Sequence, residues 1–396
     1  MSWDIKDKIA RRHEFVTLAQ AGSISMTALC RRFGVSNKTG YKWLKRFRAR
    51  GLPGLHDEPR RQIRRRNQTK SQMEAHVIHL RSEQPTWGPR KLHRRLLDLG
   101  HTALPAVSTF ARILRRHGCI QPQAADAHRP HQRFARAEPN QLWQMDFKGH
   151  FALQRGGRCH PLTVLDDHSR YALGLEACAD EQTPTVHACL EHIFTRYGLP
   201  EQILCDNGPP WAGSGPEHTA LTVWLLRLGV HVIHGRPFHP QTQGKDERFH
   251  RTLKADLLAR HDWTDLAQTQ HRFSAYRHLY NHERPHEALD LAVPASRYCA
   301  SPRALPTQLP LAQYDPSELV RLVKSKGEIT FANRFYYIGR AFCGLPLALR
   351  PMATDGHYRV CYAAFTLGLI DLSKPTDKPK GHYHPLIPVT HESVTP

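Results

Sequence analysis

Two short apolar segments in the middle of the chain each lead into an acidic residue. Residues 142–147 read LWQMDF and place Asp146 near the end of an apolar run. Residues 202–205 read QILC and are followed by Asp206. Short apolar runs bounded by turn residues are typical of buried strands. Asn207 and Gly208 favour a sharp turn after the second run. We therefore expect two interior strands that each deliver a carboxylate to their end.

A third candidate acid stands at the start of a predicted helix, Lys245 to Arg260, where Asp246 and Glu247 are adjacent. Residues three, four and seven apart share a helix face. The face that begins at Glu247 is polar and basic and continues through His250, Arg251 and Lys254. The face that begins at Asp246 continues through Phe249, Leu253 and Leu257, which should pack against the sheet. We favour Glu247 as the functional acid, while Asp246 is the alternative and otherwise serves the helix dipole.

Asp146, Asp206 and Glu247 together predict a metal site for phosphoryl transfer. Two cations held by carboxylates, about 3.5–4 Å apart, activate an attacking oxygen and stabilise a leaving oxygen. Oxygen ligands of this kind suit Mg²⁺, with Mn²⁺ as a substitute. The competing interpretation is that each acid is an ordinary strand-end or helix-start residue.

Five segments resemble the catalytic core of retroviral-type integrases and bacterial insertion-sequence DDE transposases. They are WQMD at 143–146, VLDDHSR at 164–170, DNG at 206–208, HPQTQGKDER at 239–248 and YNHERPH at 280–286. The resemblance covers about residues 10–300 and implies an RNase H-like α/β fold with Asp146, Asp206 and Glu247 as the acidic triad. It also implies that Gln243, Arg251 and Lys254 contact the DNA end of the element.

One spacing within the triad departs from the family pattern, and a second pair of acids is an alternative to it. The spacing from Asp206 to Glu247 is 41 positions, a few more than is usual in the family, and the excess falls in the Pro- and Gly-rich stretch 209–216. Such a stretch is expected to be a surface loop that tolerates insertion. Asp166 and Asp167 also end a predicted strand. Turn hydrogen bonding to Ser169 or Arg170 is the commoner use of such residues, and metal binding is the alternative.

The net charge of +21 is concentrated at the N-terminal side. Residues 1–70 hold 18 Lys and Arg against 5 Asp and Glu, and residues 71–140 hold 11 against 5, which accounts for +19. A basic block this local predicts a polyanionic partner, because Lys and Arg that neutralise phosphates release counterions. Double-stranded DNA is the expected partner.

Residues 9–50 predict a helix-turn-helix unit. A helix from Thr27 to Phe33 is followed by a turn at Gly34 and a basic helix from Asn37 to Arg48, with Ser36 as its cap. The second helix is expected in a DNA major groove. The alternative is a basic surface helix in a small bundle. The predicted DNA contacts of this helix are Asn37, Lys38, Thr39, Lys42 and Lys45.

A second helical DNA-binding unit is predicted over residues 70–120. Its segment WGPRKL at 87–92 resembles the corresponding part of the bacterial transposases. Arg112, Arg115 and Arg116 are its predicted phosphate contacts. The basic linker that precedes it is expected to lie along phosphates or in a minor groove. The linker contacts are Arg64, Arg65 and Arg66.

The predicted multidomain order has seven parts. It comprises a helix-turn-helix domain (1–55), a basic linker (56–69), a helical DNA-binding unit (70–120), a linker (121–139), an RNase H-like integrase core with a mixed sheet (140–300), a small β-rich domain (301–372) and a disordered tail (373–396). Within the β-rich part, Gly339, Gly344, Gly356 and Gly368 are expected to break the strands.

The cysteines, histidines and apolar runs indicate the cellular compartment and argue against a zinc module and a membrane segment. The nine cysteines form no C-x-x-C pair, which fits reduced thiols in a cytosolic protein. His76 and His79 have metal-compatible spacing, but no cysteine pair accompanies them to make a zinc module. No apolar run of about 18 residues and no secretory signal occur, so no membrane partner is expected. We expect a bacterial cytoplasmic protein associated with the nucleoid.

These observations predict a DNA transposase. It would bind the element ends, cut the phosphodiester at the 3′ end with metal-activated water, and join the 3′-hydroxyl to target DNA within a dimer or larger synaptic complex. No P-loop occurs, and exchange of one phosphodiester for another needs no nucleotide cofactor. The alternatives are a DNA-binding regulator with a relic core, which would be free to lose the triad, and an RNase H or Holliday-junction nuclease, which would not need two helical DNA-reading units.

Overall fold

A computed structural model describes residues 5–57, 69–120, 135–211, 218–235, 244–373 and 382–388. The chain forms two compact units, residues 1–70 and 71–396. The helices are α1 (Ile5–Ala21), α2 (Met26–Arg32), α3 (Asn37–Arg50), α4 (Ser71–Glu83), α5 (Pro89–Asp98), α6 (Val107–Arg116), α7 (Thr183–Tyr197), α8 (Ala220–Arg227), α9 (Gly244–Asp256) and α10 (Leu266–His282). The strands are β1 (Trp143–Phe147), β2 (Phe151–Ala152), β3 (Arg158–Asp166), β4 (Ala172–Cys178), β5 (Gln202–Cys205), β6 (His231–His234), β7 (Leu319–Leu322), β8 (Glu328–Phe331), β9 (Arg334–Tyr337), β10 (Pro346–Pro351), β11 (His357–Tyr362), β12 (Phe365–Asp371) and β13 (Tyr383–Pro385).

The first unit has the predicted helix-turn-helix arrangement, in which α2 and α3 pack on α1. Ser36 caps α3 by accepting a hydrogen bond from the backbone of Thr39, and Gly34 makes the turn with φ of +66°. Close packing depends on Gly40. A Cβ placed there would lie 2.6 Å from the Cys30 sulfur and 2.8 Å from the Phe15 ring. Small size at this position therefore lets α3 approach α1 and α2.

Helices α4 to α6 belong to the second unit and pack directly on the sheet-containing core. Their own core includes Trp87, Phe110 and Leu114, all buried, and Leu279 of α10 packs against it. The Thr86 hydroxyl donates a hydrogen bond to the buried Asp256 of α9, at 2.5 Å. This helical unit is therefore fixed to the core by both apolar and polar contacts.

The central sheet is mixed, in the order β4-β3-β1-β5-β6, with β2 paired to the start of β3. Strand β3 runs antiparallel to both of its neighbours, β1 and β4, while β1, β5 and β6 are parallel. Sequential strands followed by alternating helices and strands produce such a sheet. On one face of the sheet, Trp143, Val164 and Ile203 pack with Phe194 of α7. On the other face, Leu165 and Leu175 pack with side chains of α9 and α10. The mixed sheet predicted from the sequence is confirmed.

Side chains of α10 hydrogen-bond to the backbone of β4. The Asn281 amide accepts from the backbone N–H of Ala172 and donates to its carbonyl, at 2.8 and 2.9 Å. Gln270 bonds in the same way to the N–H of Ala177 and the carbonyl of Leu175. Among the described strands β4 pairs only with β3, and α10 hydrogen-bonds to backbone groups of β4 that β3 does not use.

The C-terminal part contains one sheet in the order β12-β11-β10-β7 and another in the order β13-β9-β8. Gly356 lies in a turn, as expected, but Gly368 lies inside β12. Its lack of a side chain makes room for Leu386, because a Cβ there would lie 2.7 Å from that side chain. Residues 382–388, predicted as part of a disordered tail, instead hold β13, which pairs with β9, and Ile387 bonds to Leu369.

Strand β1 ends at Phe147, and Gly149 beyond it adopts a φ of +77°. Two helices differ from the sequence prediction. Helix α9 ends at Asp256, and a 3₁₀ turn, Leu258–Arg260, follows. Helix α10 was not predicted. No helix in the described residues combines the length and apolarity needed to cross a membrane.

Candidate active site

Asp146 and Asp206 lie side by side at the ends of neighbouring strands. Strands β1 and β5 are parallel, with Trp143 opposite Ile203 and Gln144 opposite Leu204. Each acid lies three residues beyond the first of these pairs, so the parallel register places the two carboxylates at the same edge of the sheet. The electrostatic repulsion of Asp206 on Asp146 shows the same proximity.

The turn after β5 is fixed by hydrogen bonds that leave the Asp206 carboxylate at the surface of the site. The Gly208 N–H donates to Asp206 Oδ1 at 3.2 Å, and Asn207 donates to the carbonyl of Gly235 at 2.7 Å. His234 Nδ1 lies 3.0 Å from the Asp206 carbonyl oxygen. The predicted Asn-Gly turn is therefore present and joins the ends of β5 and β6.

Asp246 is buried next to Asp146, on the face of α9 that was expected to pack against the sheet. Its side chain lies beneath the first turn of α9 with the Thr163 hydroxyl at 3.2 Å. The ring of His250 lies 3.8 Å from Asp246 and 4.0 Å from Asp146, measured between nitrogen and carboxylate oxygen. Oxygen and nitrogen atoms of Asp146, Asp246 and His250 fall within 4.8 Å of one another, a spacing that could hold a metal ion.

Glu247 points to the exposed side of α9. With Gly244, Arg248 and Arg251 it lines a cavity of about 240 Å³. The expected helix faces are partly present, because Phe249, Leu253 and Leu257 are buried and pack with α10. His250 departs from its expected face, since it turns inward to Thr163, with 2.8 Å between ring nitrogen and hydroxyl oxygen.

The buried groups at this edge favour neutral forms. Burial, together with Asp206, raises the pKa of Asp146 to about 6. Burial, together with Asp146, raises the pKa of Asp246 well above its usual range. Burial, together with Lys148, lowers the pKa of His250 to about 3, so the imidazole is neutral at pH 7. The contacts of His250 with the two acids are therefore not ion pairs.

This donor set fits a hard divalent cation. Carboxylate oxygens are the ligands that Mg²⁺ and Mn²⁺ prefer. The mutual repulsion of Asp146 and Asp206 is the electrostatic situation that a cation relieves. Asp146 and Asp206 could each offer an oxygen, and α9 brings Asp246 next to Asp146.

Asp166 and Asp167 are structural. Asp166 accepts hydrogen bonds from Asn140 and from both the N–H and hydroxyl of Ser169, as expected for a turn. Asp167 accepts from Gln144 at 2.8 Å and forms an ion pair with Lys245. This ion pair attaches the start of α9 to the turn between β3 and β4.

The predicted DNA contacts that the structure describes are on the surface. Exposed positions are Asn37, Lys38, Lys42 and Lys45 of α3, Arg112 and Arg115 of α6, and Arg251 and Lys254 of α9. Thr39 is partly buried, and its hydroxyl lies 2.9 Å from that of Ser36. Arg116 forms an ion pair with Glu74. The predicted contacts Arg64, Arg65, Arg66 and Gln243 lie outside the described residues.

Sequence reasoning missed the supporting roles of Thr163, His250 and Lys148. The spacing from Asp246 to His250 is one helix turn, which could have grouped them on one face. Tyr41 on α3 is 58% exposed and was also missed. An exposed aromatic residue between Lys38 and Lys42 adds a stacking group to the basic face.

Family comparisons match three regions of the chain, 11–114, 136–294 and 318–378, to known domain types. Residues 136–240 and 228–294 match integrase core domain models. Residues 11–66 match a helix-turn-helix domain and residues 39–114 a homeodomain-like domain. Residues 318–378 match the C-terminal domain of IS481 family transposases.

Similar proteins come from insertion elements and retroviruses. A 31.7 kDa protein of insertion element IS407 from Burkholderia multivorans is 30% identical over 166 residues, 42% of this chain and 57% of that protein. A 39.2 kDa protein of IS476 from Xanthomonas euvesicatoria is 26% identical over 58% of this chain and 65% of its own length. The chain thus spans less than two thirds of either relative. The Gag-Pro-Pol polyprotein of Mason-Pfizer monkey virus is 34% identical over 30% of this chain and 6% of the polyprotein.

The crystal structure of the catalytic core domain of BIV integrase is 22% identical, covers 40% of this chain and 92% of its own, and has a TM-score of 0.30. That similarity is too low to define the fold by itself. The domain matches and the insertion-element relatives agree with each other along the chain. The chain therefore carries an integrase core domain, preceded by helix-turn-helix and homeodomain-like units and followed by a C-terminal domain of the IS481 transposase type.

Proposed function

We propose that this protein is a DNA transposase that cuts the 3′ end of a mobile element and joins the new 3′-hydroxyl to target DNA. The observation that carries the proposal is the placement of Asp146 beside Asp206 at the same end of two parallel strands in an integrase core sheet. Asp246 of α9 has a ligand atom within 4.8 Å of one from Asp146 at the same edge, and basic helical units precede the core. A nuclease alone would not need those units.

Glu247 is proposed as the third member of the acidic triad. Asp246 is fully buried, contacts Thr163, and has its pKa raised well above the usual range by burial. A neutral, buried carboxyl suits a structural role beneath the site, where it holds Thr163 and His250. Glu247 is exposed on the cavity side with Arg248 and Arg251, where a carboxylate and a DNA phosphate can be close.

Divalent cations, proposed as two Mg²⁺ or Mn²⁺ ions held by Asp146, Asp206 and Glu247, would activate the attacking oxygen and stabilise the leaving oxygen. Neighbouring residues would hold the strand and the helix that carry these acids in position. Thr163 donates to the carbonyl of Asp146 at 2.9 Å and so fixes the end of β1. The ion pair of Lys245 with Asp167 holds the first turn of α9 against the sheet.

DNA engagement is proposed for three surfaces. The α3 helix would read the element end through its exposed lysines, α6 would bind phosphates through Arg112 and Arg115, and α9 would bind them through Arg251 and Lys254. We also propose that the linker arginines 64–66 follow the DNA backbone. Self-association into a dimer or larger complex, and association with nucleoid DNA in the cytoplasm, belong to the same proposal.

The test is a strand-transfer assay with labelled DNA carrying the inverted repeats that flank the reading frame, in Mg²⁺. Asp146→Asn, Asp206→Asn and Glu247→Gln should each abolish cleavage and joining while end binding persists. Asp246→Asn is the matched control, expected to keep most activity because it retains a neutral polar group of the same size. An inactive Asp246 variant beside an active Glu247 variant would exchange their assignments. Full activity of all three triad variants would refute the transposase proposal.

A further inference from the structure

Two cysteines of the core are in contact where the chain passes from the sheet into α7. Cys178 is the last residue of β4, and Cys189 lies near the middle of α7. Their sulfur atoms are 3.7 Å apart, and both thiols are free. A disulfide has a sulfur–sulfur bond of about 2.05 Å, so each sulfur would need to move by less than about 1 Å. A small movement of the two side chains would therefore bring them to bonding distance.

Hydrogen bonds hold the segment that joins the two cysteines. Asp180 accepts from the hydroxyl of Thr185 at 2.6 Å and from the backbone N–H of Gln182 at 3.0 Å, at the start of α7. Glu181 contacts His160 of β3, with 2.8 Å between carboxylate oxygen and ring nitrogen. These contacts fix the first turn of α7 and attach it to the sheet. The fold itself therefore keeps the two sulfurs close together.

The two thiols differ in exposure and in acidity. Cys178 is 4% exposed, whereas Cys189 is only partly buried. A hydrogen bond from the Cys178 thiol stabilises a Cys189 thiolate, which lowers the pKa of Cys189; the same hydrogen bond, and then burial, raise the pKa of Cys178. The thiolate is the form that attacks an oxidant. Cys189 is therefore the thiol that reacts first, and Cys178 is the buried partner beside it.

A third cysteine lies on the neighbouring strand but on the opposite face of the sheet. Cys159 precedes His160, which is opposite Cys178 in the pairing of β3 with β4. Successive side chains of a strand point to opposite faces. Cys178 accordingly belongs to the apolar cluster that includes α7, and Cys159 to the cluster that includes α9 and α10. Burial raises the pKa of Cys159 to about 12, so Cys159 does not compete as a nucleophile.

We propose that Cys178 and Cys189 form a reversible disulfide, which joins α7 to β4, when the folded protein is exposed to a peroxide. With hydrogen peroxide, the Cys189 thiolate attacks one oxygen and the O–O bond breaks. Cys189 becomes a sulfenic acid, and the displaced hydroxide takes up a proton and leaves as water. Cys178 then attacks the Cys189 sulfur, the S–O bond breaks, and the hydroxide leaves with the Cys178 proton as a second water. The two thiols lose two electrons and two protons in total, which the peroxide takes up.

The disulfide would hold the crossover between two strands of the core sheet. Helix α7 follows β4 and leads to β5, the strand that ends just before Asp206. A bond between residues 178 and 189 restricts the unfolded chain and so stabilises the folded core. This thiol chemistry does not depend on the proposed function. The pair stays reduced where glutathione and thioredoxin keep thiols reduced, and it closes only under oxidation.

The test is oxidation of the full-length protein with hydrogen peroxide after reductant is removed. Cys299→Ser and Cys343→Ser are introduced first, because these two exposed thiols would otherwise link different molecules. Trypsin leaves both cysteines on one peptide, residues 171–196, and a glutamate-specific protease then cuts between them after Glu181. The fragments on either side of that cut should stay joined without reductant, at about 2 Da below the summed masses of the two thiol forms, and dithiothreitol should separate them.

Three cysteine variants in the same background assign the reaction to this pair. Cys159→Ala is the matched control, because it removes a buried thiol from the other face of the sheet, and it should form the link as completely as the background protein. Cys178→Ala should leave a Cys189 sulfenic acid that dimedone traps, whereas Cys189→Ala should leave Cys178 as a thiol. Calorimetry should show a Tm about 5 °C higher for the oxidised than for the reduced background protein, and dithiothreitol should reverse the difference.

The peroxide dose is set by an exposed thiol, at the amount that oxidises Cys343 in the natural protein. If the two fragments separate without reductant at that dose, the proposal is overturned. Loss of the link in Cys159→Ala would assign the bond to another pair of cysteines. An unchanged Tm after complete oxidation would show that the bond does not hold α7 to the sheet.

Discussion

The substitution Asp146→Asn should stabilise the metal-free protein against unfolding, although the same substitution should abolish activity. The Asp146 side chain is 26% exposed. Its burial, and secondly the repulsion from the nearby Asp206, raise its pKa from 3.8 to about 6. The folded state therefore holds a proton more tightly than the unfolded chain does. The ionised carboxylate is a cost to folding at neutral pH, and Asp146→Asn removes that cost.

The expected gain in stability follows from the size of the Asp146 pKa shift. About two pKa units at 1.36 kcal/mol each give a gain of about 3 kcal/mol for the variant at pH 8. For a core of this size, 1 kcal/mol corresponds to about 2–4 °C, so its Tm should rise by roughly 6–12 °C. A raised pKa means that the natural protein loses this stability as pH rises from about 4 through 6. The advantage of the variant should therefore vanish near pH 4.

Differential scanning calorimetry in EDTA at several pH values measures this difference. Asp262→Asn, at an exposed position, controls for a change of net charge and should leave the Tm unchanged at every pH. Mg²⁺ should raise the Tm of the natural protein more than that of Asp146→Asn, because binding to the folded state stabilises it. A variant that is less stable at pH 8, or whose advantage persists at pH 4, would refute the electrostatic account of this edge.

Three further outcomes are expected. Gly40→Ala should destabilise the first unit by about 1–3 kcal/mol, because the added methyl would lie 2.6 Å from the Cys30 sulfur. Chemical denaturation of the full chain measures this, and an unchanged unfolding transition of the first unit would contradict it. Asp256→Asn should cost about 3–5 kcal/mol in urea unfolding, since it leaves a buried guanidinium without its anion, and a loss below 1 kcal/mol would show that the ion pair is dispensable. Arg251→Ala and Lys254→Ala should each weaken DNA binding and reduce strand transfer without changing the Tm, whereas undiminished joining in electrophoretic assays would remove these side chains from the DNA surface.

The sequence could predict the sheet and its two strand-end acids because local signals determine both. Apolar runs, turn residues after Asp206, and a capped basic helix after Gly34 each depend on a few neighbouring residues. Parallel pairing then places Asp146 beside Asp206 without further information. Site assignments on α9 could not be fixed in the same way, because Asp246 and Glu247 differ by one position and helix starts are uncertain by more than that.

Other features depend on contacts between distant residues. The buried positions of α10 include Thr269 and Asn281, so its apolar pattern is interrupted and gave no clear helical signal. Asn281 is buried because it bonds to Ala172, 109 positions away. The docking of α5 on the core and the pairing of β13 with β9 also join segments that are remote in sequence. Such partners cannot be read from periodicity.

The hydrogen bonds from α10 to β4 also restrict how copies of this protein can assemble. An exposed sheet edge invites another strand to extend the sheet, and here Asn281 and Gln270 already occupy backbone groups that a visiting strand would need. The cores in any dimer therefore cannot merge into one continuous sheet across β4. Protomers have to meet through other surfaces, which leaves the order of strands around Asp146 undisturbed when a complex forms or dissociates.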